Sequence, residues 1–101
     1  MLAIVLTPAA QSDLVDIWAY IAADSSSQAD RMISVIDSKF QSLSRQPGLG
    51  RQRDKLTPGL RSFPVGSYVI YYLQDSGSLL IVRVLHGARD VELQFRDDAQ
   101  P

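Results

Sequence analysis

Tyr68-Val69-Ile70-Tyr71-Tyr72-Leu73, the turn Asp75-Ser76-Gly77 and the run Leu79-Leu80-Ile81-Val82-Arg83-Val84-Leu85-His86 decide the fold. Both runs are rich in β-branched and aromatic residues, and a turn this short joins strands only as a hairpin. Ahead of them, Arg61-Ser62-Phe63-Pro64-Val65 is a third strand, connected to Tyr68 through Gly66-Ser67. Pro64 has no N–H to give to a ladder, which assigns this strand to an edge or an irregular end. Three strands so closely joined leave no room for crossovers and predict an antiparallel meander.

Working upstream, the period becomes helical. Gln46-Pro47-Gly48 ends a stretch in which Ala29, Met32 or Ile33, Ile36, Phe40 and Leu43 recur at helical spacing. Ser25 is its cap, with Gln28 three residues later as in a capping box. Before it, Thr7 caps and Pro8 is preorganised for the first helical position. Ala10, Leu14, Ile17 and Ile21 then form an apolar stripe, with Asp13, Asp16, Tyr20 and Asp24 assigned to the opposite side. The two helices should form an antiparallel hairpin with facing stripes. The opening Met1-Leu2-Ala3-Ile4-Val5-Leu6 lacks a basic leader and is too short for the apolar core of a signal peptide, so it reads as a buried strand ended by Thr7-Pro8. The expected architecture is α+β, in the order β-α-α-β-β-β. The antiparallel sheet carries the helical hairpin on one face, and residues 1–101 form a single domain.

The last strand carries a conflict. Leu80, Val82 and Val84 make one face, whereas Leu79, Ile81, Arg83 and Leu85 make the other, and an arginine does not sit unpaired in a core. The second face is therefore expected to be the open one. Leu79, Ile81 and Leu85 would then await a partner or the tail around Leu93 and Phe95. The shared core is expected to hold Leu14, Ile17, Ile21, Ile33, Ile36, Phe40, Val82 and Val84.

Composition narrows the chemistry. The 101 residues are 46% hydrophobic and 21% charged, with a net charge of -1, one histidine and no cysteine. Disulfide and thiolate chemistry are excluded, and neither a metal nor a cofactor is expected. No run approaches the length of a membrane span, and without an export signal the cytoplasm is the expected location. The near-neutral total conceals a basic block: Arg45, Arg51, Arg53, Lys55 and Arg61 stand against Asp54 alone between residues 45 and 61. Eight of the ten basic residues are arginine, the side chain suited to bidentate contact with carboxylate or phosphate. There is no Walker loop or G-x-S-x-G elbow, and Gly48-Leu49-Gly50 follows a helix rather than a strand. His86 is the one ordinary candidate for a general base near neutral pH.

Several stretches together resemble the ParE toxins of the RelE/ParE superfamily. They are Gly50-Arg51-Gln52-Arg53-Asp54, Pro58-Gly59-Leu60-Arg61-Ser62-Phe63-Pro64-Val65-Gly66, Tyr68-Val69-Ile70-Tyr71-Tyr72 and Val82-Arg83-Val84-Leu85-His86-Gly87-Ala88-Arg89-Asp90. Leu14, Ile17, Trp18 and Tyr20-Ile21 agree with the family's helical pattern in the N-terminal half. The resemblance implies the same β-α-α-β-β-β order. It also implies a type II toxin that inhibits DNA gyrase by binding and is neutralised by a cognate ParD-like antitoxin in a hetero-oligomer, with no membrane partner and no direct nucleic-acid binding. The alternative within the superfamily is a RelE-type, ribosome-dependent mRNA endoribonuclease. Its resemblance would place basic groups at Arg61 and Arg89, but the arginine expected after the β-turn is Tyr68 and the tail acid/base is Phe95, which carries no proton to transfer. That departure favours the non-catalytic reading. The candidate binding residues for target or antitoxin are accordingly Arg51, Arg53, Lys55, Arg61, Tyr68, Arg83, His86 and Arg89. Arg61, Arg83, His86 and Arg89 are expected to converge on one end and face of the sheet, adjoined by the loop bearing Arg51, Arg53 and Lys55.

Overall fold

A computed structural model describes residues 1–87 together with Phe95. Strand β1 (Ala3–Leu6) leads into helix α1 (Pro8–Ala22) and helix α2 (Ser26–Arg45), and a 3-10 turn at Pro47–Leu49 follows. Strands β2 (Arg51–Gln52), β3 (Arg61–Val65), β4 (Tyr68–Asp75) and β5 (Ser78–His86) complete the described chain. The caps are those the sequence implies: the Thr7 hydroxyl accepts from the Ala10 N–H and the Ser25 hydroxyl accepts from the Gln28 N–H. The β4–β5 turn places Ser76 and Gly77 at φ of 45° and 84° between the paired residues Asp75 and Ser78. Positive φ at both central positions matches the twist of a two-residue hairpin.

The sheet order is β1-β5-β4-β3-β2. The meander β3-β4-β5 is antiparallel as expected. Two features extend it. The two residues of β2 pair with Arg61 and Ser62, and β1 joins β5 in parallel through the helical hairpin, so the sheet is mixed. Because β2 is so short, Pro64 lies where β3 has no outer neighbour and its missing donor costs nothing. The opening segment is an edge strand rather than a buried one: its residues alternate between exposed and half-buried, with Val5 45% exposed.

Two apolar clusters sandwich the sheet. Ile17, Ile36, Phe40 and Leu43 of the helices meet Tyr68, Ile70, Tyr72, Leu79, Ile81 and Val84, with Leu14, Ile21 and Ile33 packed at the margin. On the opposite face Leu60, Tyr71, Leu85 and Phe95 form a second cluster, flanked by Leu56, Val69, Leu73 and Val82. This corrects the expected facing of β5. Leu79 and Ile81 belong to the helix-side core, and Val82 belongs to the other face. The cause is a register shift: Tyr71 pairs with Arg83 and Tyr72 with Ile81, leaving Val82 without a partner. One extra residue inverts the alternation, so odd positions face the helices before it and Val84 faces them after it. Leu85 does lie on the face opposite the helices, where Phe95, Leu56 and Leu60 accompany it. Leu93 lies outside the described residues.

Candidate functional site

The basic block is positioned by one tyrosine. Tyr72 is fully buried on β4; its hydroxyl donates to the Pro47 carbonyl at 2.7 Å and accepts from the Gly50 N–H at 2.8 Å. Gly50 is needed for this approach, because a Cβ there would stand 2.8 Å from Cε1 and Cζ of the ring. Arg61, on β3 opposite Tyr72, donates to the Gly50 carbonyl at 2.7 Å and to Gly48 at 3.5 Å. The chain leaving α2 is thereby fastened to the sheet, and Arg51 follows at once as β2. Arg53 lies 5.8 Å from the Tyr71 ring centroid and reaches the Ser62 hydroxyl at 3.4 Å. Arg51 and Lys55 are exposed, whereas Arg53 and Arg61 are half-buried. Two cations thus organise the loop, and two face solvent.

Arg83 has a different place. It is 8% exposed and forms a two-pronged ion pair with Asp13 of α1, Nε to Oδ2 at 2.8 Å and Nη2 to Oδ1 at 2.9 Å. Asp13 Oδ2 also accepts from the Val84 N–H at 2.9 Å. The geometry follows from unequal strand lengths: β1 pairs with β5 only as far as Ile81, so the edge beyond it would be left bare. α1 closes that edge. The Thr7 hydroxyl donates to the Val82 carbonyl at 2.8 Å, and the Asp13 carboxylate takes the next available donor together with the guanidinium. Asp13 is therefore buried rather than on the polar side of α1, and Arg83 ties a helix to a strand instead of offering a docking charge.

A cleft of about 500 Å³ opens beside this pair. It is lined by the apolar Ile17, Val84 and Leu85, by the rings of Tyr20, Tyr68 and His86, and by Asp13, which is buried, and Asp16, which is exposed. Tyr68 meets His86 edge-on, with ring centroids 5.6 Å apart and planes at 86°. Burial first, and then the nearby Tyr20, push the Tyr68 phenol above its ordinary value of 10.0. Burial likewise raises Tyr71, against the opposing influence of Arg53, and raises Tyr72, against the Gly50 hydrogen bond and Arg61. All three phenols stay protonated at neutral pH and are poor bases there.

The expected convergence of cations is corrected by the strand register. Arg61 pairs with Tyr72, whereas His86 pairs with Tyr68 four residues away on β4, roughly 13 Å along the strand. Arg83 lies between them but is engaged by Asp13. Arg89 lies outside the described residues. The structure therefore keeps Arg61, opposite Tyr72, apart from Arg53, which lies against Tyr71 and Ser62 on the other face of the sheet, and places Tyr68 with His86 at the far end of β4. Asp13, Asp16 and Tyr20, which line the cleft, were not among the expected site residues. Asp13 had a legible signal, since it stands three residues after Ala10 and four before Ile17, on the stripe that is buried. Among the described residues, no group of three or more histidine, aspartate or glutamate side chains is placed to hold a metal ion, and no helix is long and apolar enough to cross a membrane.

Residues 4–91 match the family model of the ParE toxin of type II toxin–antitoxin systems, parDE. The chain belongs to the ParE toxin family. Toxin ParE1 of Mycobacterium tuberculosis is 32% identical over 89 residues, covering 86% of this chain and 91% of the relative. Toxin ParE3 of Caulobacter vibrioides is 36% identical over 67 residues, 66% of this chain and 67% of that one. The fold is similar to a solved structure of the chromosomal ParDE toxin–antitoxin system from P. aeruginosa, with a TM-score of 0.72 and 19% identity over 85% of this chain and 96% of the other. In this ParE chain, Tyr68 is buried in the helix-side core and edge-on to His86.

Proposed function

We propose that this ParE chain acts in the cytoplasm as a single toxin domain that inhibits DNA gyrase by binding, and that a ParD-like antitoxin holds it inactive in a hetero-oligomer. The observation that carries the reading is the separation of His86 from the basic block. RNA cleavage through a 2'-hydroxyl needs a base, an acid and cations around one phosphate. Here the sole histidine stands opposite Tyr68, the anchored arginine opposite Tyr72, and burial raises the phenols of β4. Binding needs no proton to move, and the exposed Arg51 and Lys55 together with Arg53 beside the Tyr71 ring suit it. Membership of the ParE family supports the toxin role, and the ParDE description of the similarly folded structure supports a ParD-type partner. The antitoxin's amphipathic tail would fold as it binds, bringing acidic groups to Arg51, Arg53 and Lys55.

The purified chain should inhibit gyrase supercoiling or trap gyrase-cleaved DNA, and a cognate ParD-like antitoxin should relieve that effect. mRNA on translating ribosomes should stay intact. Codon-positioned cleavage that disappears in His86→Ala would overturn this reading in favour of a ribonuclease. Reversing Arg51, Arg53 and Lys55 to glutamate should weaken antitoxin binding; an unchanged dissociation constant would remove the electrostatic part of the proposal.

A further inference from the structure

The cleft between α1 and the far end of the β4–β5 hairpin lies away from the basic loop and has the makings of a second receptor. Tyr20 remains 78% exposed beside an apolar lining, an unusual place to leave so large a ring. Asp16 is one helical turn before it, so carboxylate and ring lie on the same face of α1. Of the two carboxylates that line the cleft, Asp13 is buried and matched by Arg83 and by the Val84 N–H, whereas Asp16 is exposed. Among the described residues, no lysine or arginine lines the cleft. The Tyr68 phenol is kept neutral by burial and by Tyr20, so it does not alter this balance. The charge offered is therefore negative, and the aromatic faces add the negative side of their quadrupoles. An anion would meet repulsion from Asp16, and a purely apolar ligand would gain nothing from it.

We propose that this cleft receives an arginine side chain presented by a partner polypeptide, its guanidinium stacked on Tyr20 and paired with the Asp16 carboxylate, its methylenes lying against Ile17. Arginine is favoured over lysine because a planar cation can stack on a ring and bind a carboxylate through the same group. A cleft of about 500 Å³ also leaves room for residues flanking that side chain. The site is thus opposite in charge to the Arg51, Arg53 and Lys55 loop. A partner spanning both would need an acidic stretch for one and an arginine for the other.

The test is a titration of the isotope-labelled full chain with N-acetyl-arginine amide, with N-acetyl-citrulline amide as a neutral probe of the same shape. The arginine probe should produce saturable shifts centred on Asp16, Tyr20 and His86, and citrulline should bind about fivefold more weakly or worse. Asp16→Asn and Tyr20→Ala alter exposed side chains and should spare the core, each weakening the arginine probe by roughly fivefold. Equal binding of the two probes, shifts centred elsewhere, no saturable shift, or an unchanged affinity in Asp16→Asn would overturn the proposal. Supercoiling inhibition is measured separately, so failure here leaves the gyrase reading standing.

Discussion

A single carboxylate explains much of how the helices are held to the sheet. Asp13 uses both oxygens on Arg83 and shares one of them with the Val84 N–H, with ion-pair side chains 9% exposed. Truncating Arg83 would leave the Asp13 carboxylate buried without its guanidinium, which is far costlier than losing an exposed pair. Asp13→Ala and Arg83→Ala should each destabilise the chain by about 3–5 kcal/mol in denaturant unfolding. The double variant should lose much less than the sum, because both single variants break the same ion pair. Tyr72 sets a second such dependency. Tyr72→Phe keeps the ring in its core site but removes the bonds to Pro47 and Gly50. It should cost about 1–3 kcal/mol and raise hydrogen exchange around Gly50 more than in α1.

Among the elements, β5 shows how far sequence pattern reaches and where it stops. The opening strand, the meander, both helices and their caps were legible because they depend on local chemistry: β-branched runs, helical spacing, a threonine or serine at the right offset; the two-residue β2 was not. The facing of β5 was not. Strict alternation sorts Leu79, Ile81, Arg83 and Leu85 together, but the unpaired Val82 is a tertiary event that no residue in the strand announces. The conflict posed by Arg83 was real, however, and its resolution was a buried partner rather than an open face. The same limit governed the site, since placing Arg61 and His86 in one cluster requires the register of two strand pairs. Truncations can check the corrected facing. Ile81 is fully buried on the helix side, whereas Leu80 is half-buried. Ile81→Ala should cost about 2–5 kcal/mol and Leu80→Ala clearly less. The reverse order in equilibrium unfolding would restore simple alternation.

For the molecule as a whole, three of the four tyrosines lie on β4 and reach into both apolar layers: Tyr68 and Tyr72 on the helix side, Tyr71 on the other. Burial raises each of these phenols above 10.0 in the folded chain, while in the unfolded chain they return to ordinary values. Below the unfolded value both states keep the protons, so the contribution to stability is fully present. As pH climbs beyond it, the unfolded chain releases protons that the fold still retains, and the free energy of unfolding falls. Each such group contributes a slope of up to about 1.4 kcal/mol per pH unit between its unfolded and folded values. With three groups on one central strand, the loss should be steep and should involve both layers together. Urea unfolding should therefore show a midpoint insensitive to these groups near neutral pH and dropping sharply above pH 10, the ordinary phenol value. Tyrosinate absorbance should rise together with the loss of helical circular dichroism. Ionisation of these three phenols while the helical signal stays intact would show that β4 is not the shared wall of two layers.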